Sequence, residues 1–145
     1  MRDKCFVDTN ILVYAHDRST GIKHVRAQNL VEELWAAGNG VLSTQVLQEM
    51  CVNMRRRAGK PLNSDELRLL IQDYATWEVV TNTHESILRA LEIERRYKTS
   101  FWDALILQAA ERSGASILYS EDLAVGQRYG SVRIVNPLLD SLNIQ

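Results

Sequence analysis

Four acidic positions hold the residues best suited to chemistry in this chain. Asp8 follows Cys5-Phe6-Val7, an apolar run with the length and composition of a buried strand, and precedes Thr9-Asn10 and the apolar Ile11 to Ala15. Glu49 sits just outside the apolar stripe of Val46, Leu47, Met50, Cys51 and Met54, in a segment that begins directly after a second strand candidate. Asp103 lies on the apolar side of Phe101 to Arg112, beside Ile106, Leu107 and Ala110 and opposite the narrow polar side of Gln108, Glu111 and Arg112. The fourth position is Glu121-Asp122, directly after the apolar run Ser116 to Tyr119 and Ser120. Each acid has a bland explanation. Asp8 and Ser120 are good helix caps, Ser100 and Asp103 stand at capping-box spacing, and most glutamates placed like Glu49 are solvated.

The elements that carry these acids bring them together. Strand candidates Cys5–Val7, Val41–Leu42, Glu78–Thr81, Ser116–Tyr119 and Val132–Val135 alternate with helical segments. Those segments run from about Ile11 to Ala15, Lys23 to Ala37, Gln45 to Ala58, Asn63 to Ala75, His84 to Tyr97 and Phe101 to Ser113. Gly38, Gly59 with Pro61, and Gly114 mark helix ends, and Asn63 with Glu66 forms a capping pair. Alternation without a hairpin signal before Ser120 predicts one α/β domain over residues 1–145, a five-stranded parallel sheet with helices on both faces. In such a sheet the crevice at the carboxyl ends of the strands collects ligands, and all four acidic positions fall on that edge.

Carboxylates gathered there repel. Two of them ~5 Å apart at an effective dielectric of ~20 cost about 3 kcal/mol, a sizeable share of the ~5–15 kcal/mol that holds a domain folded. A proton or a metal ion relieves that cost. Oxygen donors with no histidine or cysteine nearby favour Mg²⁺ or Mn²⁺ over Zn²⁺, and His16, His24 and His84 are scattered. Ions held this way meet phosphates and activate water for attack on a phosphodiester. Thr9, Asn10 and Ser120 either orient a carboxylate or a ligand water, or cap helices.

Composition bounds the class. The chain has 145 residues, enough for one domain, and is 46% hydrophobic, with no apolar run near the ~18 residues of a membrane span. It opens on Arg2-Asp3-Lys4 rather than a secretory leader, and Cys5 and Cys51 form no Cys-x-x-Cys unit, which together point to a cytoplasmic protein with reduced thiols. The formal net charge of -1 neither requires nor excludes nucleic acid.

Four stretches in order carry a family resemblance. They are Phe6-Val7-Asp8-Thr9-Asn10, Ser43-Thr44-Gln45-Val46-Leu47-Gln48-Glu49, Ser100-Phe101-Trp102-Asp103-Ala104-Leu105-Ile106 and Leu118-Tyr119-Ser120-Glu121-Asp122-Leu123. Together they resemble the acidic motifs of PIN-domain ribonucleases, most closely the VapC toxins of type II toxin–antitoxin pairs. The resemblance implies that Asp8, Glu49, Asp103 and Asp122 hold Mg²⁺ or Mn²⁺ for RNA hydrolysis. It also implies a homodimer and inhibition by a small VapB-type antitoxin. Relatives often carry one more acid soon after the fourth motif, where this chain has Ala124-Val125-Gly126, which leaves the supply for a second ion open.

Phosphate attraction needs cations near the acids. Arg55, Arg56, Arg57 and Lys60 close the Glu49 helix and are the first RNA-contact candidates, ahead of Arg89, Arg95, Arg96 and Lys98. The same placement also suits a helix dipole. Two other functions compete with the nuclease reading. A receiver-like signalling domain wants adjacent acids after the first strand and a lysine after the last, where this chain has Thr9-Asn10 and Asn136-Pro137. The third is a PIN-like module that keeps the fold and binds nucleic acid or a partner without cleaving, a reading that the complete acidic set weighs against but leaves open.

Overall fold

A computed structural model describes residues 3–57, 60–124 and 126–139; Arg2, Ala58, Gly59 and Val125 lie outside the described residues. Strand β1 (Cys5–Val7) runs into helix α1 (Thr9–Ala15), and after a single 3-10 turn at Arg18–Thr20 comes α2 (Ile22–Ala37). Strand β2 (Gly40–Ser43), helices α3 (Thr44–Arg56) and α4 (Ser64–Tyr74) and strand β3 (Glu78–Val80) follow. Helices α5 (His84–Tyr97) and α6 (Phe101–Ser113) lead to β4 (Ile117–Tyr119), β5 (Arg128–Tyr129) and β6 (Val132–Val135).

The sheet order is β3-β2-β1-β4-β6-β5. Five strands are parallel, as the alternating pattern predicts, and the two-residue β5 adds a sixth that pairs antiparallel to β6. This edge strand is a correction to the five-stranded expectation. With only two residues, one of them exposed, it has no periodicity to betray it. Because β2 and β3 lie on one side of β1 and β4 on the other, right-handed crossovers send α1 to α4 to one face and α5 with α6 to the other. Contacts group the same way, α1 against α2 and α3, and α5 against α6. The direction reverses between β1 and β4, so the crevice opens where their carboxyl ends meet.

Burial follows this plan. Every residue of β1 and β2 is buried, and Phe6, Leu42, Leu118, Ile11, Met50 and Ile106 are fully enclosed. The close approach of Trp77 to β2 requires Gly40, where a Cβ would lie 2.4 Å from the indole ring. Helix α6 is buried continuously from Ala104 to Ala110. Gln108, expected on a polar side, is enclosed too, with its amide donating to Asn82 Oδ1 at 2.8 Å and to the Leu105 carbonyl at 2.9 Å. The Asn63–Glu66 capping box forms as its spacing predicts.

Candidate active site

Asp8 closes β1 and caps α1, so its backbone is fixed from two sides. Its N–H donates to the Tyr119 carbonyl at 2.9 Å, which ties it to the end of β4. Its Oδ1 accepts from the Thr9 N–H at 2.7 Å and its Oδ2 from the Ser120 hydroxyl at 2.9 Å. The residue is 8% exposed. Burial, joined by the charges of Glu49 and Asp103, lifts its carboxyl to about 6 against the pull of those two hydrogen bonds. Its ionised form is therefore disfavoured, a cost that a nearby cation would offset.

The other three acids arrive from three further segments. Ser43 caps α3, accepting from the Val46 N–H at 3.3 Å. On that helix Glu49 Oε1 accepts from the Thr9 hydroxyl at 2.6 Å. Gln45, one turn earlier, donates to Glu49 Oε2 at 3.4 Å and to the Trp102 carbonyl at 3.1 Å. Ser100 caps α6, accepting from the Asp103 N–H at 3.1 Å. The Asp103 carboxylate does not close the reciprocal half of a capping box, as Glu66 does for Asn63. After β4 the buried Ser120 Oγ accepts from the Asp122 and Leu123 N–H groups, both at 3.3 Å, and so turns the chain. Asp122 Oδ2 then accepts from the Asn10 side-chain amide. Asp8, Glu49, Asp103 and Asp122 line one cavity of about 500 Å³ together with Thr9, Asn10, Gln45 and Trp102.

A model of the PIN domain matches residues 5–128, most of the chain and all four acidic segments. The chain belongs to the PIN domain family. Solved structures of similar fold include VapC20 of Mycobacterium tuberculosis, a Sarcin-Ricin loop cleaving toxin, at TM-score 0.63 and 22% identity over 82% of this chain and 90% of that one. A toxin–antitoxin complex from Klebsiella pneumoniae matches at TM-score 0.67 and 19% identity, over 92% of this chain and 98% of that one. FitAB bound to a DNA fragment matches at 0.65 and 15%, over 94% and 97%. At these identities the likeness is one of fold. No curated protein sequence matches the chain.

Within this PIN domain the two acids after β4 part company. Asp122 turns to the cavity, whereas Glu121 accepts from the Tyr14 hydroxyl at 2.6 Å and pairs with Lys23 at 2.7 Å. Burial works to raise the Glu121 carboxyl, but Lys23 and Tyr14 outweigh it and hold the group below its ordinary value. Glu121 is thereby clamped between α1 and α2.

The arginine run also divides. Arg57 donates to the His16 carbonyl at 2.6 Å and lies 3.9 Å from Asp17, with its side chain only 12% exposed. It ties the end of α3 to the turn after α1. Arg55, Arg56 and Lys60 are exposed, and none lines the acidic cavity, whose α3 wall ends at Asn53. Gln45 and Trp102 line the cavity without a role assigned from the sequence. Gln45 is 4% exposed, and Trp102, beside Asp103, is 62% exposed at the rim. The signal for Gln45 was its place one helical turn before Glu49, on the same face.

The donor set is all oxygen, which suits a hard divalent cation. Among the described residues no group of three His, Cys, Asp or Glu side chains is arranged to hold an ion as it stands. Thr9 holds Glu49, Asn10 holds Asp122 and Ser120 holds Asp8 by hydrogen bonds. Mg²⁺ keeps several waters and is commonly held by one or two carboxylates together with substrate phosphates. The residues fit an ion of that kind rather than a closed cage.

Proposed function

We propose that this PIN domain is a Mg²⁺- or Mn²⁺-dependent endoribonuclease, the toxin of a toxin–antitoxin pair restrained by a VapB-type antitoxin. In this reading it works as a cytoplasmic homodimer; no helix among the described residues is long and apolar enough to cross a membrane. The observation that supports it is the meeting of four carboxylates from four separate segments in one cavity, where burial raises the carboxyl of the most enclosed, Asp8, to about 6. Four helix caps would have no reason to share a cavity.

Asp8, Glu49, Asp103 and Asp122 would hold the cation, which when bound would supply Lewis acidity to a phosphodiester and to its attacking water. The chain's own residues prepare that place. Ser120 and the Thr9 N–H fix Asp8 so that its two oxygens keep their direction. The Thr9 hydroxyl and Gln45 hold the two oxygens of Glu49, and Asn10 orients Asp122. Orientation of this sort raises ligand precision, as partners behind metal ligands generally do. Trp102 at the rim offers an aromatic face of the type on which unpaired bases stack.

The deciding experiment is a gel assay of purified protein with structured RNA and Mn²⁺, run with and without chelator. Cleavage that chelator abolishes supports the reading. RNA left intact while Mn²⁺ still raises the melting temperature by mass action would identify a binding module that has lost cleavage. Neither effect at Mn²⁺ well above the ~1 mM of the weakest such sites would remove the metal site from the account.

A further inference from the structure

We infer that a second cavity on the far side of the acids is the seat of a phosphate of single-stranded RNA flanking the cleavage point, an inference that rests on the ribonuclease reading above. This cavity, about 230 Å³, shares Asp103 and Asp122 with the acidic cavity and is otherwise lined by different residues. The two carboxylates therefore stand on the ridge between two hollows. A strand laid across that ridge occupies both.

The second hollow has the chemistry that the acidic cavity lacks. Lys98 and Arg128 line it, and neither takes part in any ion pair among the described residues, Asp103 and Asp122 included. A polyanion that approaches four carboxylates is repelled unless cations of this kind stand beside them. Its volume lies below the ~300–1,000 Å³ of pockets that enclose a whole drug-sized ligand, in keeping with one nucleotide unit of a longer strand. Its aromatic wall is held in place. Tyr97 meets Tyr129 edge-on at 4.7 Å, and the Tyr129 hydroxyl accepts from Arg89 at 3.1 Å.

The backbone of Lys98 adds an independent observation. It ends α5 in the left-handed region, φ 54°, the only non-glycine residue there among the described residues. Glycine or asparagine would take that position at lower cost. A lysine kept in a conformation that suits it poorly, at the mouth of a hollow beside the acids, is accounted for by what its ammonium does.

The test is fluorescence anisotropy with a short labelled single-stranded oligoribonucleotide in EDTA, where binding is read without cleavage, over a salt series. Lys98→Gly removes the cation and suits the backbone, so it should melt at or above the wild-type temperature; Lys98→Asn repeats the test with a second residue that tolerates this conformation. Each of these, and Arg128→Gln, should weaken binding alike for different sequences and reduce the slope of log affinity against log salt by about 0.7. Wild-type affinity and slope in Lys98→Gly, Lys98→Asn and Arg128→Gln would overturn the inference and leave Lys98 as a helix end only. Wild-type cleavage in Mn²⁺ is measured alongside. Cleavage with unchanged slopes sinks this subsite and spares the nuclease reading, whereas reduced slopes without cleavage spare the subsite and sink the nuclease.

Discussion

The strand side and the helix side of the acidic cavity are built to different tolerances. Asp8 stands at the end of a central strand, its backbone pinned to β4 and both its oxygens bonded to neighbours. Glu49 and Asp103 stand on two helices from opposite faces of the sheet, and Gln45 joins those helices at the cavity with one amide group. On the strand side position is set by the sheet ladder, which the fold cannot alter locally. On the helix side it is set by one buried side chain reaching across the sheet end. The strand side should therefore set the charge balance of the site, and the helix side its width.

The largest effect should come from removing charge on either side while keeping shape. Asp8→Asn and Asp103→Asn should each lower metal-dependent RNA cleavage more than about a hundredfold, close to 3 kcal/mol of barrier, with cooperative unfolding retained. Quantified gel cleavage at saturating Mn²⁺ measures both. Full activity in either variant would show that the side it belongs to lies outside the chemistry.

The second effect belongs to the strand side alone. The Asp8 carboxyl ionises near 3.8 in the unfolded chain and near 6 in the folded one. Between those values the folded state binds more protons, so the Asp8 contribution to stability is full at low pH and is lost as pH rises through about 6. The shift corresponds to about 3 kcal/mol. Urea unfolding in EDTA at about pH 4.5 and pH 7.5 should therefore show a penalty at the higher pH that Asp8→Asn lacks, and the variant should be the more stable protein at pH 7.5 without metal. Identical pH dependence in the two proteins would mean that Asp8 is better solvated than its burial indicates.

This difference between the sides also marks what the sequence made legible. Asp8 and the place of the Glu121-Asp122 pair could be read because an acid soon after a short apolar run is a local pattern, and parallel topology carries such acids to one edge. The cap of α6 was legible for the same reason, since Ser100 and Asp103 are three apart. Gln45 was not, because its partner carbonyl is 57 residues away and only folding brings it near. Nor could the sequence tell Arg57 from Arg55 and Arg56. Three adjacent arginines read alike until the turn after α1 claims one of them. Glu121 and Asp122 stayed ambiguous because their separation depends on Tyr14 and Lys23, more than ninety residues earlier in the chain.

The helix side predicts a smaller and different change. Gln45→Ala removes the bond to Trp102 and to Glu49 without touching a carboxylate. The Mn²⁺ concentration for half-maximal cleavage should rise about tenfold, as is typical when a partner behind a metal ligand is lost, with less change at saturating Mn²⁺. Metal titration of the cleavage rate reads this directly. A loss of turnover equal to that in Asp103→Asn, with the half-maximal Mn²⁺ unchanged, would place Gln45 in the chemistry itself rather than in the spacing of the helices.

The smallest effect should fall on Glu121, and its smallness is informative because the residue is charged, adjacent to Asp122 and paired. Asp122 faces the cavity with Asn10 behind it, whereas Glu121 serves the junction of α1, α2 and the turn after β4. Glu121→Gln keeps an oxygen for the Tyr14 hydroxyl and loses only the attraction of Lys23, an exposed cation whose pairing water screens. Cleavage rate and Mn²⁺ affinity should change by no more than severalfold. Asp122→Asn should lower both by about tenfold, less than Asp8→Asn, because Asp8 is the acid most deeply enclosed with the others and the one whose charge most needs a cation. If Glu121→Gln were the damaging change and Asp122→Asn nearly silent, the turn after β4 would have to rearrange when RNA and metal bind. The strand side would then be the adaptable wall and the comparison would be inverted.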